Sequence, residues 1–369
     1  MRKNIQYKKL GDICDFISGG TPSKSKIEYW KDGKIPWIKI SDFKKKYIKI
    51  SDEKITKSGL ENSSAKILKK GTILYTIFAS VGKVAILDIE ATTNQAIVGI
   101  DLKENNLLDK DFLYYFLCSI ENNIKKQARG VAQNNINISI LKNISIPILS
   151  MSLQKNIVKT LKKLEDILEN FKQKKLLINF LNKSLFIKFN KNGVEKQLDE
   201  VADIIMGQSP LSQSYNIDKK GLPFYQGKTE FGDMYIKESN IYCNSPIKIA
   251  EKNDILMSVR APVGDVNIAI HKSCIGRGLA SIRAKKIDYL YLFYLLKEQK
   301  TRIEKMGVGS TFKAINKNNI SSLKMSIVEM NKQNKIKKYL ILTEKLSFNI
   351  SLDIFKISEI LKKKGVENN

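Results

Sequence analysis

A single histidine, His271, stands in this chain of 369 residues. Serine triads, His–Asp dyads and imidazole-based metal sites are therefore nearly excluded, and His271 itself is expected at the surface. The four cysteines, Cys14, Cys118, Cys243 and Cys274, are scattered without a C-x-x-C pair. They read as reduced, buried thiols rather than a disulfide or zinc framework. No apolar run follows the opening "MRKNIQYKK", and no stretch reaches the length of a membrane span; the cytoplasm is the expected location. No N-P-P-[YF] or D-P-P-[YF] amino-methyltransferase signature occurs. "GLPFYQGKT" from Gly221 resembles a phosphate loop but puts five residues between its glycines, where the cradle needs four. Its better reading is a turn carrying Tyr225, Gln226 and Lys228 toward a ligand. The carboxylates suggest no acid–base pair and no nuclease cluster. The expectation is a binder, with no metal or cofactor of its own, rather than an enzyme.

Acidic residues are outnumbered: Lys+Arg 64 against Asp+Glu 37 gives a net charge of +27. Such a balance favours a polyanionic partner, above all nucleic acid. Arginine is scarce, limited to Arg2, Arg129, Arg260, Arg277, Arg283 and Arg302. The charge is therefore almost all lysine, which together with the richness in Ile and Asn also fits the coding bias of an AT-rich genome.

The second half of the chain repeats the first. "LGDICDFISGGTP" from Leu10 matches "LDEVADIIMGQSP" from Leu198, "GTILYTIFASVGKVAI" from Gly71 matches "NDILMSVRAPVGDVNI" from Asn253, and "DFLYYFL" from Asp111 matches "DYLYLFY" from Asp288. The offset shrinks along the chain, so loops differ in length while a framework persists. Each copy opens on a short amphipathic segment and a Gly/Ser/Pro turn. Short β-branched runs bounded by Gly or Pro follow and read as sheet strands. A helix at about 110–127 or 288–305 comes next. Gly82 and Gly264 fall at the same point of both copies, where a tight turn needs φ > 0.

A long helix follows each copy. Ile157, Leu164, Phe171, Ile178 and Leu185 recur every seven residues, with Leu161 and Leu168 between them and Lys175 and Asn182 breaking the alternate positions. In the second helix Ile336, Ile350 and Ile357 hold the register, with Leu340, Leu346 and Ile360 beside them and Thr343 and Asp353 as weak points. These are coiled-coil seams. Two like units joined in this way can be related by a pseudo-twofold axis, which makes the helices pair antiparallel. A helix of roughly 35 residues spans about 50 Å, enough to hold two heads over half-sites about 34–36 Å apart on a duplex.

Base edges are read by Arg or Lys on guanine and by Asn or Gln on adenine. The loops of the first head offer Lys24, Lys26, Lys39, Lys44, Lys83, Asn94, Gln95, Arg129, Gln133, Asn134 and Asn135. Those of the second offer Gln208, Gln213, Gln226, Lys228, Arg260, Arg277, Thr311 and Lys313. Arg260 and Arg277 are the better candidates, because arginine is scarce here and both adjoin glycine-bearing turns.

Taken together, the opening "KLGDICDFISGGTP", the "ILYTIFASVGKVAI" and "ILMSVRAPVGDVNI" runs, the "NQAIVGI" and "CIGRGLASI" pair and the closing "ISIPILSMSLQKNIVKTLKKL" resemble the specificity subunit of type I restriction–modification systems. The resemblance spans essentially the whole chain. It implies a mixed α/β (α+β) fold with two tandem target-recognition domains, 1–150 and 191–329. Spacer helices at 151–190 and 330–369 would pair as an antiparallel coiled coil. It implies that each domain reads one half of a bipartite, asymmetric double-stranded DNA target. Two methyltransferase subunits would dock on the chain and bring S-adenosylmethionine, and a motor-nuclease (restriction) subunit is a further partner; no membrane is involved. The family's P-x-x-E-Q lead into the spacer helix departs here to "PILSMSLQ", keeping Pro147 and Gln154, and to "VEMNKQ", keeping Gln333. The competing reading is a non-catalytic coiled-coil adaptor without sequence-specific DNA binding.

Overall fold

The computed structural model describes residues 5–104, 107–128, 135–307 and 314–363. They divide into two compact units, one of residues 1–173 with 351–369 and the other of residues 174–350. The division runs through both long helices, Met151–Phe189 and Met330–Lys363. Each unit therefore holds one head, the start of the helix that follows it and the end of the other helix.

In the first unit a sheet runs in the order Cys14–Ser18, Ile97–Leu102, Ile73–Thr76, Val84–Leu87, Tyr47–Ile48. Phe16 pairs Ile100, which pairs Ile73 on its other side. The second unit repeats the order with Ala202–Met206, Leu279–Ala284, Ile255–Ser258 and Val266–Ile268. There Ile204 pairs Ile282, which pairs Ile255. The central strands are buried on both faces, which is why they read as continuous apolar runs rather than alternating ones. A helix covers each sheet: Lys110–Ser119 buries Phe112 to Tyr115, and Tyr289–Glu298 buries Leu290 to Leu296. Asp109 and Asp288 cap these helices, accepting hydrogen bonds from Phe112 N and from Leu290 N and Tyr291 N. All four cysteines are buried and unpaired.

Each long helix is pinned to its head by a buried glutamine. Gln154 is fully buried. Its Oε1 accepts the Asp109 N–H at 2.8 Å, and its Nε2 donates to the carbonyls of Leu149 (2.8 Å) and Leu107 (3.1 Å). Gln333 is likewise buried; it accepts from Asp288 N at 3.0 Å and donates to the Val328 carbonyl at 2.7 Å. Further along, the Tyr115 hydroxyl donates to Glu165 (2.7 Å) and Tyr294 to Glu344 (3.1 Å). All four counterparts stand at one constant spacing along the chain, which pairs Asp288 with Asp109 and corrects the sequence match to Asp111 by two residues. The glutamine is the part of the helix lead that both copies keep, and the interior position explains why.

The seams match the heptad at most positions, with corrections at Leu346, Ile360, Thr343 and Asn182. In the first unit Leu161 and Leu168 are buried, and Ile157 and Leu164 pack beside them in one apolar core with Ile354, Ile357 and Leu361. In the second unit Ile178, Ile336, Leu340 and Ile350 are buried, while Phe171 in the first unit and Leu185 in the second are half-buried. The start of one helix thus packs with the end of the other, as antiparallel pairing requires. Leu346 is not in the seam: it is 51% exposed. Ile360 is exposed as well, while Thr343 and Leu361 are inside. Thr343 tolerates burial because its hydroxyl donates to the Tyr339 and Leu340 carbonyls. Asn182 also lies buried rather than breaking the pattern, and Phe186 joins the core of the second unit.

Replacing Gln154 by Leu leaves a buried N–H and two carbonyls without their partner, and each such group costs about 1–3 kcal/mol. The expected result is a lower denaturant midpoint with an unchanged m-value. A midpoint equal to that of the wild type would contradict the pin.

Candidate nucleic-acid interface

Two backbone hydrogen bonds assemble the same loop cluster in both units. In the first, strand Ile35–Ile38 lies parallel to Thr92–Thr93. The Asn94 N–H then reaches the Ile38 carbonyl at 3.1 Å, and the Gly20 N–H reaches the Thr93 carbonyl at 2.8 Å. In the second, strand Leu222–Tyr225 lies parallel to Ser273–Ile275. The Gly276 N–H reaches Tyr225 O at 2.8 Å, and Gln208 N–H reaches Ile275 O at 3.0 Å. Lys39 thus corresponds to Gln226, Gln95 to Arg277 and Gly20 to Gln208. A third shared bond, Ile77 N–H to Ala96 O (2.8 Å) and Val259 N–H to Gly278 O (2.9 Å), places Phe78 where the second unit has Arg260. The approach is close. A Cβ at Gly19 would lie 2.0 Å from the Asn94 carbonyl oxygen, and one at Gly207 would lie 2.1 Å from that of Gly276.

In the first unit this cluster is tied internally. Glu53 accepts from Lys24 at 2.7 Å with one carboxylate oxygen and from Lys39 at 2.6 Å with the other. The Lys24 ammonium sits 3.5 Å above the Trp30 ring, which meets Trp37 edge to face at 5.0 Å. The two indole N–H groups donate to the carbonyls of Ser23 and Gly20. The Thr21 hydroxyl donates to the Gln95 side-chain oxygen. Asn94 is half-buried, and its Oδ1 accepts from Ala96 N at 3.1 Å, which shapes the turn. Lys44 is exposed on a separate turn, and Lys83 is half-buried between strands Ile73–Thr76 and Val84–Leu87. Nothing bonds either side chain to the cluster.

The second unit gathers Gln208, Gln226, Arg260 and Arg277, all exposed. Lys228 stands apart, paired with Asp265, which also holds Lys300. Burial acts to raise the Asp265 carboxyl, and the hydrogen bonds from those two lysines outweigh it, leaving Asp265 below its ordinary value. Tyr225 corrects the expectation of a ligand-facing turn: it is fully buried, its hydroxyl donating to the Lys237 carbonyl at 3.0 Å. His271 is half-buried against that hydroxyl, 3.2 Å away, rather than fully exposed. Arg129, Gln133, Asn134, Thr311 and Lys313 lie outside the described residues. The turns at Gly82 (φ +94) and Gly264 (φ +87) are built as expected. Their donors are held alike, Lys83 N–H by Thr76 Oγ1 and Asp265 N–H by Ser258 Oγ, yet a lysine in one unit is an aspartate in the other. Among the described residues no group of His, Cys, Asp and Glu stands close enough to hold a metal, and no helix is long and apolar enough to cross a membrane.

Glu53 is the residue that motif reasoning missed, because its lysine partners are distant in sequence. Their hydrogen bonds, Lys24 first and then Lys39, hold its carboxyl below the ordinary 4.5. A depressed carboxylate keeps its contacts at full strength above that value and loses them as pH falls through the lower folded one. Trp30 and Trp37 are the only tryptophans, so their fluorescence is expected to change as pH drops below 4.5. In Glu53→Gln that acid transition should vanish; its persistence there would contradict the assignment.

Residues 2–179 and 190–348 each match the type I restriction modification DNA specificity domain. A relative in Methanocaldococcus jannaschii, assigned as the specificity subunit of the type I restriction enzyme MjaX, is 34% identical over 379 residues, covering 91% of this chain and 85% of its own. Two solved structures share the fold. One, from a study of complex assembly and conformational transition of the type I R-M system, has a TM-score of 0.69 at 24% identity, over 98% of this chain and 96% of that one. The other, the S subunit of a type I restriction-modification system from M. genitalium, has a TM-score of 0.58 at 19% identity, over 100% and 98%. Matched twice in tandem over nearly its whole length, the chain belongs to the type I restriction modification DNA specificity family.

Proposed function

We propose that this chain is the DNA-specificity subunit of a type I restriction–modification complex, each head reading one part of a split, asymmetric duplex target. The observation that carries this reading is one loop frame with different tips. Backbone bonds at equal positions present Lys39 and Gln95 in one unit and Gln226 and Arg277 in the other. A common fold with unlike hydrogen-bonding groups is what two unlike half-sites demand.

The long helices support a docking role. In the second unit Leu176, Leu177, Phe180, Leu342 and Phe348 are 65–70% exposed. An exposed apolar stripe of this kind marks an interaction surface. Two methyltransferase subunits are its occupants in this reading and bring S-adenosylmethionine; a restriction subunit joins them. The chain itself performs no chemistry: its one histidine is bonded to Tyr225, and Glu53, Asp254 and Asp265 are all engaged by lysine or arginine. Such a complex works in the cytoplasm, on genomic DNA.

Long-read methylation sequencing of cells that express this chain with its methyltransferase, against cells lacking the chain, tests the proposal. A two-part methyl-adenine motif that disappears without the chain is expected. Methylation that persists unchanged would replace this reading with that of a coiled-coil adaptor.

A further inference from the structure

Four of the six arginines lie in the described residues, and two of them are committed to the fold. Arg283 forms a two-pronged bond to the buried Asp254, at 2.9 and 2.8 Å. Arg302 donates to the Lys324 carbonyl at 3.0 Å. The guanidinium of Arg277 bonds to no described residue, while its backbone is fixed on every side. Gly276 N–H is held by Tyr225 O (2.8 Å), Arg277 N–H by Ser209 Oγ (3.2 Å) and Gly278 N–H by Gln226 O (3.2 Å). The flanking glycines allow this. A Cβ at 278 would stand 2.4 Å from the Gln226 carbonyl oxygen, and one at 276 would stand 3.1 Å from the Gln226 Cα. Arg277 and Gln226 therefore sit side by side on a rigid base with free, exposed side chains. Fixed backbone and unspent donors are what direct reading of a base edge requires.

We propose that Arg277 and Gln226 are the specificity-determining residues of the second head, Arg277 reading a guanine and Gln226 an adenine in the adjoining base pair. The inference rests on the DNA-specificity reading and adds residues and bases to it. Their structural counterparts, Gln95 and Lys39, are the same two positions in the first head. There Thr21 donates to the Gln95 oxygen and Glu53 anchors Lys39, so both side chains are tied within the head. The two heads thus differ in how their tips are held as well as in sequence. Arginine suits the guanine O6 and N7 because its rigid planar fork matches both acceptors at once, whereas the lysine ammonium reaches them as a flexible point charge.

The test uses the complete complex of this chain with its methyltransferase, after the wild-type motif has been mapped. Arg277→Gln places the first head's residue in the second. It should relax or change one guanine position in the second head's half of the motif, with discrimination there falling about 10- to 100-fold, and leave the other half unchanged. Arg277→Lys keeps the charge but not the fork and should lower discrimination at that same position, whereas a phosphate contact would survive it with the motif unchanged. Gln226→Ala should alter the neighbouring letter. An unchanged motif with uniformly weaker binding in Arg277→Gln would make Arg277 a phosphate contact and overturn the proposal, as would a changed letter in the first head's half. Failure of the wild-type complex to methylate any two-part motif would contradict the underlying specificity reading instead.

Discussion

A buried amide has to find its partners, and each half of this protein is organised around one. Gln154 and Gln333 sit in the first turns of the long helices with almost no exposure. Each accepts the N–H of an aspartate that caps the head's covering helix, and each donates to the carbonyl where the helix lead ends. Losing such a partner inside the protein costs far more than the net value of the bond. The direction in which each helix leaves its head is therefore set by satisfied hydrogen bonds as well as by apolar packing. The Tyr115–Glu165 and Tyr294–Glu344 bonds repeat the constraint further along.

With the helix fixed to the head, variation falls on the second sheet, of three strands in the first unit and five in the other, and on the tips. Four strands of the main sheet keep their order and register, and the turns at Gly82 and Gly264 keep their positive φ. At the ends of the parallel strand pairs the two units then part. Glu53 binds two lysines into one group in the first unit. In the second, glycines on both sides bring Arg277 against Gln226. The charge at the tight turn even reverses, from Lys83 to Asp265. Such divergence on an unchanged frame is cheap, because exposed side chains contribute little to stability.

The repeat, the sheet strands, the positive-φ glycines and most seam residues were legible in the sequence because each is a matter of period or local backbone. Leu346 was misplaced for a physical reason. The second helix carries apolar residues on more than one face, so hydrophobicity alone cannot say which stripe is covered. Polar Thr343 is inside because it satisfies its hydroxyl on its own helix. Tyr225 was misread because a loop-like string conceals which side chains turn inward. The clustering of Lys39 with Gln95, and of Gln226 with Arg277, depends on strand pairings far apart in the chain. The role of Glu53 depends on them too, since that residue reaches Lys39 through the pairing of strand Glu53–Ile55 with Ile35–Ile38. Arg260 and Arg277 were visible as candidates through scarcity, and the structure leaves both exposed.

The central claim is that two equivalent heads each read their own sequence through the same frame. The most direct measurement is the methylation motif directed by a folded chimera in which a second copy of the second head replaces the first. The account predicts a motif whose two parts both carry the second head's sequence. A motif that retains the first head's letters, or whose two parts still differ, would contradict it.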